Sequence, residues 1–175
     1  EAHLYLSEML HDQQDDMAGA AVLQELVHLA EKDETIKQQV VRRRGGMGSV
    51  ISRMHFFYSE SFRQTDDPKM QVEHLQAAVE ADPADADVLI ALFRAPSDEE
   101  TKAKARRHIR DAAADFQKQI ELYSGHVEQT HQEELRQWAI ARLASLYNQY
   151  AWLVGNTEGD YDMAWRYRHR RLELR

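Results

Sequence analysis

Apolar side chains recur at steps of three and four along almost the whole chain, and little interrupts them. In 98–124, Ala105, Ile109, Ala112, Phe116, Ile120 and Tyr123 fall on one helical face. In 130–155 the pattern appears twice. Leu135, Ala139, Leu143, Leu146, Tyr150 and Leu153 form one stripe, and Trp138, Ala141, Ser145, Asn148 and Trp152 form a second, weaker one. A helix with two such stripes is expected to have neighbours on two sides, as in stacked helix layers. Only 7 Gly and 3 Pro occur in 175 residues. Long helices are therefore open to the chain, and the many turns of an all-β fold are not. Val40-Val41 and Val50-Ile51 are too short to read as strands, and helical spacing surrounds both.

Helix ends are marked by local chemistry. Asp67-Pro68 and Asp82-Pro83 each put a capping acid before a proline. Ser97-Asp98-Glu99-Glu100 and Thr130-His131-Gln132-Glu133 read as capping boxes, and Gly125 and Gly155 as stops. The expected helices are 2–12, 16–32, 34–44 running toward or into 48–64, 68–81, 84–94, 98–124, 130–155 and 160–174. At Gly45-Gly46-Met47-Gly48 either the helix breaks or something packs so closely that only glycine fits, since each helical glycine costs roughly 1 kcal/mol relative to Ala. Short connections make neighbours antiparallel.

Residues 52–85 fit a helix–turn–helix unit of about 34 residues. Ser59 takes a small first-helix position and Phe62 an aromatic one. Leu75 is the large apolar residue of the second helix, Ala78 the small residue at the crossing, and Pro83 the closing proline. His55 and Gln71 depart from the pattern. A second match runs from Asn148-Gln149-Tyr150-Ala151-Trp152-Leu153 through Gly159-Asp160-Tyr161 to Ala164, with Asn148 and Arg171 departing. These two stretches resemble tetratricopeptide (TPR) repeats of the degenerate bacterial type. Residues 1–33 fit loosely through Leu6, Ser7, Leu10 and Leu23. The period fails over 86–144, which fall short of the roughly 68 residues two regular units need. Pro96 also stands there in an aromatic's place. The expected organisation is a single all-α domain over 1–175, with units at 1–33, 52–85, 86–144 (enlarged) and 145–175 (incomplete). A generic helical bundle is the alternative.

The resemblance implies an α–α superhelix, a TPR-like solenoid of about three and a half to four antiparallel helix pairs. It also implies a scaffolding function, with a peptide or partner domain held in a concave groove. The register of the repeat places Arg53, Phe57, Glu60 and Arg63 on the groove face of one unit, and Gln149, Tyr150 and Leu153 on that of the last. Within His55-Phe56-Phe57-Tyr58, it turns Tyr58 and Phe62 inward and Phe57 toward the groove, or else all are core. Phe56 and Glu60 stand where repeats that clamp a C-terminal carboxylate carry Lys and Asn, which argues against that subtype. A regulatory or targeting region of a larger multidomain enzyme is the alternative function. A ligand- or metal-binding bundle is a third, and predicts an enclosed pocket.

No residue pattern points to catalysis. There is no cysteine, and no two of the nine histidines stand three or four apart. His126 and His131, with Glu128 and Glu133 nearby, are loop residues by default. Carboxylates such as Asp15-Asp16, Asp66-Asp67 and Asp98-Glu99-Glu100 sit at helix starts, where the helix dipole favours them. No Gly-x-Ser-x-Gly elbow occurs, and no Lys follows the glycine cluster as in a phosphate-binding loop. The expectation is therefore no enzyme, no catalytic or metal residues and no cofactor.

The net charge of −8 disfavours nucleic acid, and Arg42-Arg43-Arg44 is too short to reverse it. No apolar run is long enough to span a bilayer. The cytoplasm is favoured slightly over the periplasm, and the compartment is otherwise open. The chain opens at Glu1 without Met and stops one residue before the place where the repeat's closing proline is expected. A fragment of a longer protein is expected, sticky through Trp165 or Leu172 of its last helix and so able to self-associate there.

Overall fold

The computed structural model describes residues 1–174. Among them are nine α-helices and no strand: α1 (Ala2–Asp12), α2 (Asp16–Lys32), α3 (Glu34–Arg44), α4 (Met47–Gln64), α5 (Pro68–Ala81), α6 (Ala86–Arg94), α7 (Glu99–Gln129), α8 (Glu133–Thr157) and α9 (Tyr161–Glu173). The all-helical expectation holds. The fold divides into two compact units, Glu1–Lys102 and Ala103–Arg175.

Aspartates start most of these helices. Asp15, Asp33, Asp67, Asp85 and Asp160 each accept backbone N–H groups of the following turn, satisfying donors that have no partner inside the helix. Pro68 follows Asp67 at the first helical position, as its fixed φ allows. Three expected starts shift. Asp82 closes only a short turn on the Ala84 N–H, so α6 begins at Ala86 behind Asp85. Asp98 rather than Ser97 caps α7, accepting from Thr101 N–H at 2.8 Å. Thr130 directly follows the end of α7, its N–H bonded to His126 O, and α8 starts after Gln132 with no side-chain cap.

The glycine stops also move. Neither Gly125 nor Gly155 ends a helix, because both keep helical geometry and neighbouring residues sustain the ladder. α8 ends instead at Thr157, and two residues on Gly159, with φ +71° and its N–H bonded to Val154 O, takes the chain out of the helix. It therefore runs unbroken through the expected unit boundary at 144/145. At 45–48 both alternatives are realised at once. Gly45 ends α3 in the left-handed region with φ +80°. Gly48 lies so close to the end of α5 that a Cβ there would stand 2.4 Å from the Ala81 carbonyl oxygen.

In the first unit the helices pack largely in sequence: α1 on α2, α4 on α5, α5 on α6, with α2 also lying against α4. This is consistent with a helical-repeat arrangement. Ser59, Leu75 and Ala78, three of the repeat-like positions, are fully buried, alongside Leu23, Phe57, Val88 and Leu89. In the second unit α9 packs on α8, and Phe116 of α7 meets Tyr150 of α8 with ring centroids 6.4 Å apart. Ala139, Leu143, Leu146, Tyr150 and Leu153 are buried as the first α8 stripe requires. Leu135 at the head of that stripe is exposed. The second stripe is not a packed face, since Trp138, Ala141, Asn148 and Trp152 all remain exposed.

Candidate partner-binding surfaces

Arg53, Phe57, Glu60 and Arg63 share one face of α4, as the sequence requires. In the first unit α1 and α2 take up much of that face. Phe57 is 0% exposed. Its ring lies 3.2 Å from where a Cβ on Gly19 of α2 would be, and His11 of α1 stacks on it at 4.6 Å. The missing side chain at Gly19 is the slot that draws Phe57 inward. The expectation that Phe57 lines a groove is therefore corrected; Tyr58 and Phe62 are the half-buried members of the cluster.

The polar groups along this face are also engaged within the chain. The Arg53 guanidinium lies 4.9 Å from the Phe57 ring centroid. It donates to Glu8 Oε2 at 3.1 Å and to Asp87 Oδ2 at 3.5 Å. Glu8 receives Arg44 as well, at 3.2 Å. Burial would raise the Glu8 carboxyl, but Arg53 and Arg44 together hold it below its ordinary value. Arg63 is exposed and grips Glu60 with two nitrogens, at 2.9 and 2.7 Å. Beside them Asp16, almost wholly buried, accepts from His11 Nδ1 at 2.5 Å and from Gln64 Nε2 at 2.6 Å. A carboxylate holding a histidine through Nδ1 orients the ring. Here it ties α1, α2 and α4 together.

On the other side of α4, His55 meets His74 of α5, Nδ1 to Nδ1 at 2.9 Å. Tyr58 and Phe62 lie against the His74 ring at 5.1 and 5.3 Å. Burial lowers the pKa of both histidines, and each loses some proton affinity for that reason first. The sequence had marked His55 only as a departure from a repeat. Nothing in the spacing of 55 and 74 announces their contact. Among the described residues no group of three or more His, Asp or Glu is placed to hold a metal ion.

In the second unit Tyr150 and Leu153 are core rather than groove residues, and Gln149 is half-buried. The Tyr150 hydroxyl accepts from Gln117 Nε2 at 2.6 Å and donates toward Met163 Sδ at 3.2 Å, while Tyr167 meets its ring edge-on at 4.7 Å. Tyr147 and Tyr167 line an open cleft of about 580 Å³, with Glu121 and Glu128 of α7 and Arg170 of α9 at its sides. A smaller cleft of about 360 Å³ lies in the first unit between α5 and the start of α7. Large apolar side chains remain exposed on α8 and α9, and also on α1 at Tyr5, Leu6 and Met9. Trp138, Trp152 and Trp165 are 56%, 50% and 61% exposed, and Tyr161 and Leu172 more so. Periodicity had counted Trp138 and Trp152 toward a packed face, because spacing identifies a shared face without saying what covers it.

A scan of protein-family models finds no match to this chain, and searches of curated proteins and of solved structures find none either. Among the described residues no helix is long and apolar enough to cross a membrane.

Proposed function

We propose that this chain is a non-catalytic protein-interaction module, related to tetratricopeptide repeats through the α4–α5 pair, that binds a peptide or partner domain. The observation that supports this most is the exposure of the tryptophans on α8 and α9. Tryptophan is highly buried on average, and its ring contributes strongly when covered by a partner. Aromatic anchors of this kind dominate many interfaces. The expected α4 groove is not the place to look, because Phe57 is core and Arg53 and Glu60 are taken up inside the chain.

A photo-crosslinking amino acid placed at Trp138 or Trp165, with exposed Glu31 as the control position, tests this in the producing cells. Polypeptide adducts should form at the two tryptophan positions and not at the control. The captured polypeptide, purified, should bind the intact chain and lose about tenfold or more in affinity on Trp138→Ala or Trp165→Ala, as for a hot-spot residue. Equal adducts at all three positions, or none, would remove the proposal.

A further inference from the structure

α9 carries four arginines, Arg166, Arg168, Arg170 and Arg171, against two carboxylates, Asp162 and Glu173, on a chain whose net charge is −8. Four arginines of the first unit are paired. Arg43, Arg44, Arg53 and Arg63 all reach carboxylates, namely Glu1, Glu8, Glu8 with Asp87, and Glu60. On α9 no carboxylate of the described residues pairs with any of the four. Arg170 lies over the Tyr167 ring and Arg171 bonds Asn148, while Arg166 and Arg168 project into solvent.

The same helix leaves an apolar stripe uncovered. At 3.6 residues per turn, Tyr161, Trp165, Arg168 and Leu172 fall within an arc of about 60°. Tyr161, Trp165 and Leu172 are exposed, with His169 stacked on Trp165 at 3.7 Å. The face is thus aromatic and aliphatic with a guanidinium in its middle.

Resting on the protein-interaction reading above, we infer that the outer face of α9 is the docking surface for an acidic amphipathic segment of a partner protein. Charge complementarity selects the occupant. An apolar helix face flanked by carboxylates covers Trp165 and Leu172 while giving Arg168 in the stripe, and Arg166 about 100° round the helix from Trp165, the carboxylate partners they lack among the described residues. A lipid surface fits less well, because seating this stripe in hydrocarbon would carry Arg168 toward it.

The probe is a synthetic helical peptide of about 15 residues, a length at which an isolated helix begins to hold, with leucines at helical spacing flanked by glutamates. Its counterpart carries glutamine for every glutamate. Measured by fluorescence anisotropy on the full chain, the acidic peptide should bind about tenfold or more tightly than its counterpart, a difference of about 1.4 kcal/mol. Added salt should narrow the gap. The gap should close in an Arg166→Gln/Arg168→Gln variant whose circular dichroism and melting are unchanged. Equal affinity for the two peptides, or a gap that survives in the variant, overturns the inference. So does tighter binding to vesicles of phosphatidylserine and phosphatidylcholine in equal parts, or to single-stranded DNA. Sedimentation showing self-association that Trp165→Ala abolishes would assign the face to a second copy instead. If these measurements fail while the adducts at Trp138 persist, protein binding stands and only the acidic partner falls.

Discussion

His55 on α4 and His74 on α5 share a single hydrogen bond between their Nδ1 atoms, 2.9 Å apart. Such a bond needs one ring to carry the proton there and the other to lack it, so both rings cannot be cationic without breaking it. The charged groups facing the pair are few. Glu73 on α5 partly offsets the burial of His74, and the Tyr58 hydroxyl is tied to Gln24 of α2.

Burial lowers both pKa values below the ordinary 6.5, with His74 adding to the effect at His55 and Glu73 opposing it at His74. The unfolded chain then binds more protons than the folded one in the window just below that value. Stability present above 6.5 is lost as pH falls through the lowered folded values. Thermal melts taken between about pH 8 and about pH 5.5, a range that spans histidine titration, should show a drop for the native chain. The drop should be smaller in a His55→Gln/His74→Gln variant. Parallel curves for the two proteins would count against the pair.

Gly48 and Gly125 are both helical, yet alanine should act on them in opposite directions. A Cβ at Gly48 would meet the Ala81 carbonyl oxygen at 2.4 Å, a backbone atom that cannot swing aside. Gly48→Ala should destabilise the first unit by about 1–3 kcal/mol, the usual range for overpacking. Around Gly125 nothing lies within 4 Å of the added atom. Gly125→Ala should stabilise by up to about 1 kcal/mol, the difference in helix propensity. Urea unfolding of the two variants reads both signs.

Ala78 is fully buried and Glu80, two residues on, is exposed. Ala78→Trp should cost about 1–3 kcal/mol or more. Glu80→Ala should stay within about 0.5 kcal/mol of the native chain. Melting temperatures that fall alike would mean that α5 is turned about its axis from the orientation described.

What was legible in the residues was local. Asp67-Pro68, Asp160, the Gly45 break and the stripe from Ala105 to Ile120 act within a turn or two of chain, so nearly every helix was expected close to where it lies. The misplaced stops at Gly125 and Gly155 show the limit of a single-residue signal. A glycine ends a helix only where its backbone leaves helical geometry, as Gly159 does.

The face each side chain turns to its surroundings was decided by contacts between residues far apart in sequence. Phe57 is core because Gly19 leaves room for it and His11 covers it, partners separated from it by 38 and 46 positions. Arg53 is engaged because α1 brings Glu8 within reach, and His55 matters because α5 brings His74. Trp138 and Trp152 stay exposed although the spacing of their stripe resembles that of a packed one. Periodicity determines which residues share a face, since that follows from the helix repeat alone. Whether the face is then covered depends on which other helix arrives there, and that is a property of the assembled structure.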